Sequence, residues 1–223
     1  MNKEENVVIA QNDYIKTFQD IEIYYRDSLR SHFNRCIISG TILYEFRYSH
    51  TGSNGEEFFQ NVVVVKNVDG RKNYIPIIVP EHLALKYDCF MVGKYVRIGG
   101  QFRSFKNDQH LQLFLFANEI ELFKFPKDED FNSIFLKGTI QKYLNRFTLQ
   151  YGVTNIDLIL KVSRNYNKED YIPCTMSAPS ASVFNYLKLG TEIVVEGWIR
   201  SRLIKNSAKR NVYEIVMSEV KLS

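Results

Sequence analysis

Side chains that build metal or nucleophilic sites are few in this chain and poorly placed for either. The three cysteines, Cys36, Cys89 and Cys174, have no CxxC spacing and no histidine at ligand spacing, which is typical of reduced, buried thiols. The four histidines are scattered, and no HxxxH motif, nucleophile elbow or glycine-rich phosphate loop occurs. The sequence therefore predicts no enzyme, no metal site and no cofactor.

Long apolar runs are missing as well. No stretch approaches the roughly 20 apolar residues of a membrane-spanning helix. The segment Met1-Asn2-Lys3-Glu4-Glu5-Asn6 lacks the basic-then-apolar pattern of a secretory signal. We therefore expect a cytoplasmic protein with no membrane partner.

A strong excess of charge is also absent, whereas aromatic residues are abundant. The 29 Lys and Arg residues against 25 Asp and Glu give a net charge of +4 and a pI near 8.8. This balance permits a polyanionic partner without requiring one. The 16 Phe and 14 Tyr residues, against a single Trp, suit β-strands and stacking surfaces.

The sequence repeats itself once. Gly40-Thr41-Ile42 returns 98 residues later as Gly138-Thr139-Ile140, and Tyr74-Ile75-Pro76 returns 97 residues later as Tyr171-Ile172-Pro173. Gly93 and Gly100 return as Gly190 and Gly197, and 117–122 returns as 217–222. So many matches in one order predict two copies of one domain, each of about the commonest domain size.

The domain bounds follow from the repeat. We expect an N-terminal extension over 1–33, a first domain over 34–124, a linker over 125–133 and a second domain over 134–223. In the extension, Asp13 could cap an amphipathic helix whose apolar residues recur at spacings of three and four. The linker acids Asp128-Glu129-Asp130 are typical of a solvated charge run rather than a metal site.

The pattern within each repeat predicts five strands, with a short helix between the third and the fourth. In the first repeat the strands are expected over 35–46, 57–68, 74–79, 94–105 and 111–123, and the helix over 81–88. In the second they are expected over 134–143, 147–163, 171–176, 192–204 and 211–222, and the helix over 179–187. This is the element order of the OB-fold, a small Greek-key barrel. We therefore predict an all-β chain of two tandem five-stranded OB-fold barrels, each with one short helix, plus an N-terminal helical extension.

Three motifs of the second repeat stand in an order that a known family shares. They are Asp170-Tyr171-Ile172-Pro173, Tyr186-Leu187-Lys188-Leu189-Gly190 and Val195-Glu196-Gly197-Trp198-Ile199-Arg200-Ser201-Arg202. With them the chain resembles the bacterial single-stranded DNA-binding protein (SSB) family, in a form with two OB domains per chain. The resemblance implies sequence-tolerant binding of single-stranded DNA without catalysis, and a dimer that presents four OB domains.

The sequence departs from the family pattern in three places. The acidic C-terminal tail with which the family recruits replication and repair enzymes has no counterpart after Lys221-Leu222-Ser223. Pro80 and Ser177 stand where the family often has an aromatic residue, and Asn107 and Ile204 replace another near the closing hairpin. These departures favour a specialised member, such as one from a plasmid, phage or mobile element.

Strand parity predicts a binding surface. Because side chains alternate between the faces of a strand, Trp198, Arg200 and Arg202 share one face, and Ile199 and Ser201 share the other. The same alternation turns Tyr171 and Tyr74 outward. A single-strand binder needs cations for phosphates and flat side chains for bases, and these residues supply both. Trp198 could instead cover a domain interface.

The other candidates are basic or aromatic residues of loops and hairpins. They are Lys205, Lys209 and Arg210 in the second closing hairpin, Lys161, Arg164, Tyr166 and Lys168 after the second strand of that repeat, and Lys66, Arg71, Lys72, Arg103, Phe105 and Lys106 in the first repeat. No acid occurs from Ile199 to Tyr213, which favours a phosphate track there.

The predicted function is the coating of single-stranded DNA in replication, recombination or mobile-element DNA processing. Two alternatives stay open. One is a protein–protein adaptor in a replication or conjugation complex, with little affinity for nucleic acid. The other is RNA binding, because aromatic platforms and basic loops do not by themselves recognise the 2′-hydroxyl group.

Overall fold

The computed structural model describes residues 34–223, except 68, 87–91, 108–109, 124–129, 149–152, 165–166, 180–186 and 205–209. The predicted extension over 1–33 and most of the predicted helix over 179–187 lie outside the described residues.

Strands make up most of the described chain, so the predicted all-β class is confirmed. The described elements are, in order, β1 (Asn34–Ile42), β2 (Arg47–Thr51), β3 (Glu57–Lys66), β4 (Lys72–Pro80), α1 (Glu81–Lys86), β5 (Tyr95–Asn107), β6 (His110–Phe123), β7 (Asn132–Thr148), β8 (Val153–Arg164), β9 (Lys168–Pro179), β10 (Glu192–Ile204) and β11 (Arg210–Leu222). Within these ranges no helix has the length and apolar character needed to cross a membrane.

Five strands of the first repeat form a closed ring of pairings. β1 pairs with β3 and with β5, β3 pairs with β4, and β5 pairs with β6, all antiparallel. A parallel pairing of β4 with β6 closes the ring. β2 extends the sheet beyond β3.

The second repeat closes an equivalent ring. β7 pairs with β8 and β10, β8 with β9, and β10 with β11, and a parallel pairing of β9 with β11 completes the ring. β7 alone takes the place of β1 and β2. Its register shifts between Ile140 and Lys142 and between Tyr143 and Asn145, and such bulges bend a strand without ending it.

Some predicted boundaries differ from the structure. β7 continues to Thr148 and β8 begins at Val153, so the prediction of one strand over 147–163 is wrong. Aromatic and β-branched residues flank both sides of this turn, and such a run does not reveal which hairpin arm a residue joins. Pro179 pairs with Val153 as the last residue of β9, so β9 extends beyond the predicted strand over 171–176. The edge strand β2 was not predicted.

The two rings meet through β1 and β7, which pair antiparallel from Asn34 with Leu136 to Ile38 with Asn132. Equivalent asparagines at the start of β1 and β7 tie each of these strands to the neighbouring strand of its own repeat. The Asn34 amide donates to the Phe102 carbonyl (2.6 Å) and accepts from the Phe102 N–H (2.9 Å). Asn132 makes the same two bonds with Ile199, at 2.8 and 3.0 Å. The antiparallel register of β1 with β7, which is centred on the equivalent residues Cys36 and Ile134, relates the repeats by an approximate two-fold axis.

The apolar core lies inside the rings and follows the alternation of the strands. In β8 every second residue is buried, and in β10 Ile199 is buried between the more exposed Trp198 and Arg200. The largest fully buried side chains include Ile38, Ile98, Phe102 and Leu115 in the first repeat and Ile134, Leu136, Ile140 and Ile156 in the second.

The backbone conformation explains why two pairs of glycines recur at equivalent positions of the two repeats. Gly100 and Gly197 sit at register shifts of β5 and β10, where an added Cβ would lie 2.0 Å from the Phe116 carbonyl oxygen and 2.1 Å from that of Val216. Gly93 and Gly190 have φ angles of 81° and 83°, a region that glycine adopts without strain. The glycines that recur in the sequence therefore mark positions where both repeats place the same constraint on the backbone.

Candidate nucleic-acid interface

The two predicted tyrosines occupy equivalent positions at the surface. Tyr74 on β4 is 37% exposed and Tyr171 on β9 is 38% exposed, whereas the next residues, Ile75 and Ile172, are fully buried. The parity argument therefore gave their orientation correctly. The Tyr171 hydroxyl donates to the Glu169 carboxylate (2.8 Å), which raises the pKa of Tyr171 and keeps the ring neutral.

Each tyrosine lies against the opposite repeat. The backbone N–H of Tyr74 donates to Ser201 Oγ (2.9 Å), and the Ser201 N–H donates to Asn73 Oδ1 (2.9 Å). The equivalent bonds join Tyr171 N–H to Ser104 Oγ (2.8 Å) and Ser104 N–H to Asp170 Oδ1 (2.6 Å). Strand β4 of the first repeat thus packs beside β10 of the second, and β9 of the second packs beside β5 of the first. The sequence analysis did not predict this arrangement.

The predicted surface of β10 forms, but its arginines have an acidic partner. Trp198 is 37% exposed, and the side chains of Arg200 and Arg202 are 41% and 58% exposed. Glu214, the register partner of Arg200 on β11, accepts from Arg200 Nε (2.8 Å) and Arg202 Nε (2.6 Å) through Oε1, and from Arg202 Nη2 (2.9 Å) through Oε2. These bonds raise the pKa of Arg202. One buried carboxylate therefore offsets half of this positive charge.

Arg103, the first-repeat equivalent of Arg200, is held differently. Its Nε and Nη2 donate to Gln101 Oε1 (3.2 and 2.8 Å), and its guanidinium carbon lies 3.8 Å from the centre of the Phe116 ring. Burial, and then the positive charge of Arg164, lower the pKa of Arg103 to about 10, against the opposing effect of Asp170. Arg103 is thus still charged at neutral pH. Nearby on β5, Phe105 is 58% exposed and Lys106 is exposed.

Arg164 forms an ion pair at the junction between the repeats. Its Nε lies 3.0 Å from Oδ2 of Asp170, which is completely buried, although the angle is too poor for a hydrogen bond. Burial raises the pKa of Asp170, while the Ser104 N–H and the arginines Arg164 and Arg103 act in the opposite direction. The first repeat has a neutral pair at the same place, where Asn73 Nδ2 donates to Asn67 Oδ1 (2.8 Å). Arg164 therefore has a structural role.

The remaining loop cations are partly paired. Lys161 Nζ lies 3.1 Å from Glu169, and Arg71 Nε lies 3.4 Å from Asp69. Lys66 and Lys72 are exposed register partners on β3 and β4, and Lys168 is exposed at the start of β9. Tyr166, Lys205 and Lys209 lie outside the described residues, as does the side chain of Arg210.

A groove of about 740 Å³ crosses the junction and was not predicted. We call it the junction groove. Its walls are the β3–β4 surface, the first residues of β6 and β11, and the segment before β2. Pro76 and Pro173, which are equivalent residues of the two repeats, both line it. Its aromatic lining is Tyr44, Phe114 and Tyr213, and burial raises the pKa of the Tyr213 hydroxyl.

The described residues place no group of three His, Cys, Asp or Glu side chains where it could hold a metal ion. Cys36 and Cys174 are buried and free, and burial raises the pKa of both thiols. Cys89 lies outside the described residues.

Comparison with known proteins supports the resemblance. The wild-type single-stranded DNA binding protein from Thermus aquaticus aligns with 86% of this chain and 93% of its own, at 13% identity and a TM-score of 0.66. A deletion mutant of that protein aligns with 86% of this chain and 95% of its own, at 13% identity and a TM-score of 0.67. The chain therefore has the fold of these proteins across both repeats.

The family model for the single-strand binding protein family matches residues 131–223. The N-terminal domain of PriB from Thermoanaerobacter tencongensis, a dimer, aligns over 98% of its chain and 42% of this one, at 30% identity, with a TM-score of 0.37 that supports no statement about fold. No curated protein matches the sequence. The second repeat therefore matches the single-strand binding protein family, and the predicted resemblance is confirmed.

Proposed function

We propose that this chain binds single-stranded DNA through both repeats and tolerates many sequences. The observation that carries the proposal is the family match of residues 131–223 together with a shared fold over 86% of the chain. We further propose that each five-stranded ring is an OB barrel and that each repeat, 34–124 and 134–223, is one domain.

The exposed aromatic rings would bind bases. Tyr74, Tyr171, Trp198 and Phe105 are each between 37% and 58% exposed, on strands β4, β9, β10 and β5. Stacking of one base contributes about 1–3 kcal/mol and does not depend strongly on which base it is. Because β4 packs beside β10 and β5 beside β9, the rings of one repeat lie near the basic strand of the other.

Phosphates would bind the cations that lie next to these rings. Lys66 and Lys72 are directly opposed on β3 and β4, and the Asp130 carboxylate, which accepts from the Lys66 N–H (2.6 Å), offsets part of their charge. Arg200 and Arg202 together keep a net positive charge beside Glu214. When two weak sites lie on one chain, binding at the first holds the strand at a high effective concentration near the second. This raises the overall affinity by a factor on the order of 10²–10⁴.

The experiment is a fluorescence-anisotropy titration of labelled oligo-dT at several salt concentrations. We expect submicromolar binding that weakens with salt, with a log–log slope of about −0.7 for each phosphate contacted. Failure to bind at low salt would refute the proposal.

The variant for this assay must not leave a buried carboxylate without its partners. We therefore choose Arg200→Gln, Arg202→Gln and Glu214→Gln together and compare this triple variant with Glu214→Gln alone. The triple variant should bind more weakly and with a shallower salt slope. Lys142→Gln, an exposed charge on β7 outside the interface, is the matched control and should change little.

The adaptor function is the second candidate, because Glu214 and Asp170 offset much of the positive charge that the sequence suggested. Under that function the triple variant would leave partner binding intact, and oligo-dT and oligo-U would both fail to bind. Tight binding of oligo-U in preference to oligo-dT would instead identify an RNA-binding protein. Roles in replication, recombination or mobile-element processing, and a dimer with four OB domains, remain proposals from the family resemblance.

A further inference from the structure

The candidate interface consists of two equivalent surfaces, and each is built from both repeats. In one, Tyr74 of β4 lies beside Ser201 of β10, and its N–H donates to the serine hydroxyl (2.9 Å). In the other, Tyr171 of β9 makes the same bond to Ser104 of β5 (2.8 Å). Each serine directly follows an arginine in the chain. We call these the Tyr74 surface and the Tyr171 surface.

The symmetry between the two surfaces reverses direction. Strands β1 and β7 pair antiparallel about Cys36 and Ile134. The two-fold axis of such a pair stands perpendicular to the sheet, because opposed residues exchange equivalent hydrogen bonds. The axis therefore turns any path across this face into a path that runs the opposite way. A nucleic-acid strand has a direction, so two segments that make equivalent contacts with the two surfaces run antiparallel.

The junction groove brings the two surfaces close together. Pro76 and Pro173 both line it. Each proline follows its tyrosine by two residues and shares its face of the strand, so each ring lies about 7 Å along its strand from the groove. Two segments that stack on these rings are therefore neighbours.

The charges leave the space between the two segments to the bases. Only Glu45 and Arg47 are charged among the residues that line the groove, and the arginines before the two serines do not line it. Phosphates are therefore expected at those outer arginines, and bases towards the groove. Stacking on an aromatic ring uses the face of a base and leaves the Watson–Crick edge free. Complementary segments would thus lie in the antiparallel orientation that a duplex requires.

We propose that the chain holds two single-stranded segments side by side in opposite directions and thereby promotes the pairing of complementary strands. The inference rests on the proposed function and goes beyond it, because coating a strand sets neither the number of bound segments nor their relative direction.

The first arm of the test measures orientation with the full chain. It uses oligo-dT strands of about eight nucleotides, which is within the roughly 4–16 nucleotides that one OB domain covers. One strand carries a donor fluorophore at its 5′ end, and the other carries an acceptor at either its 5′ or its 3′ end. Oligo-dT strands cannot pair with each other, so only the protein can bring them together. We expect two strands per chain and stronger energy transfer to the 3′ acceptor.

The second arm follows the annealing of two complementary strands at micromolar concentration by stopped-flow fluorescence, with one chain for every two strands. Strands on neighbouring surfaces of one chain meet at an effective concentration near millimolar, so annealing should be at least about tenfold faster than without protein.

A substitution that keeps the charge separates this mechanism from simple screening of the phosphates. Tyr171→Ala removes one ring and no charge, so it should weaken one of the two sites by about fivefold to a hundredfold. Most of the acceleration, and the difference between the two acceptor positions, should then be lost. Tyr48→Ala is the matched control and should behave like the wild type. Tyr48 is an exposed tyrosine of β2, and its register partner on β3 lies five residues from that of Tyr74.

Several results would overturn the inference while leaving strand binding itself in place. They are a single bound strand per wild-type chain, transfer to the 5′ acceptor that equals or exceeds transfer to the 3′ acceptor, and annealing that is not accelerated or that Tyr171→Ala leaves unchanged. Failure of the wild type to bind any of these strands would instead refute the proposed function.

Discussion

Replacing Asp170 with asparagine should destabilise the protein strongly, although Asn73 occupies the equivalent position of the first repeat. Asp170 is completely buried 3.0 Å from Arg164, whose side chain is 23% exposed. Removing one member of a buried ion pair costs about 3–5 kcal/mol because the other charge is left without a partner. Since Arg164 keeps some contact with water, we expect about 3 kcal/mol, near the lower end of that range.

The first repeat shows how the loss should be reversed. Asn67 and Asn73 form a neutral amide pair where the second repeat has Arg164 and Asp170. The double variant Arg164→Asn with Asp170→Asn recreates that pair, so its stability should lie within about 1 kcal/mol of the wild type, which is the net contribution of a typical hydrogen bond. The two substitutions are therefore expected to be strongly non-additive.

Urea unfolding followed by far-ultraviolet circular dichroism measures this cycle. With a slope of about 1–3 kcal/mol per molar urea, a loss of 3 kcal/mol lowers the midpoint by about 1–3 M. Asp69→Asn is the matched control, because Asp69 pairs with Arg71 at the surface and exposed pairs contribute at most about 1 kcal/mol. Additive losses in the double variant would refute the reasoning.

Two further predictions concern binding. Glu214→Gln removes the negative charge that pairs with the guanidinium groups of Arg200 and Arg202. It should therefore tighten oligo-dT binding at low salt and steepen the salt slope. An unchanged slope would show that these arginines do not contact phosphates. Tyr74→Ala and Tyr171→Ala should each weaken binding by about 1–3 kcal/mol at constant salt slope, and Tyr→Phe at the same positions, which keeps the ring, should not. Anisotropy titrations measure both effects, and equal losses for Ala and Phe would argue against stacking.

Two kinds of structural feature could be predicted from the sequence: the side of a strand on which a residue lies, and the turns and close strand approaches that require glycine. The side-chain alternation of a strand is enough to turn Trp198, Tyr74 and Tyr171 outward, and all three are exposed. The repeated glycines mark turns and close strand approaches, which occur at fixed places in both copies. The strand content of the chain follows from the same local pattern.

Features that depend on register or on contacts between the repeats could not be predicted. Glu214 lies 12 residues after Arg202 in the chain, and only the pairing of β10 with β11 shows that it faces Arg200. The junction groove and the bonds of Ser104 and Ser201 join residues of different repeats. The sequence has no acid from Ile199 to Tyr213, whereas the folded chain places Glu214 beside both arginines.

The most direct test of strand binding at this surface uses the emission of Trp198. It is the only tryptophan of the chain, it is 37% exposed, and it lies on the same face of β10 as Arg200 and Arg202. A base that stacks on this ring should quench its fluorescence. We predict that oligo-dT quenches the emission with the same midpoint as the anisotropy titration. Strand binding with unchanged emission would place the DNA elsewhere, and the absence of both signals would contradict the function itself.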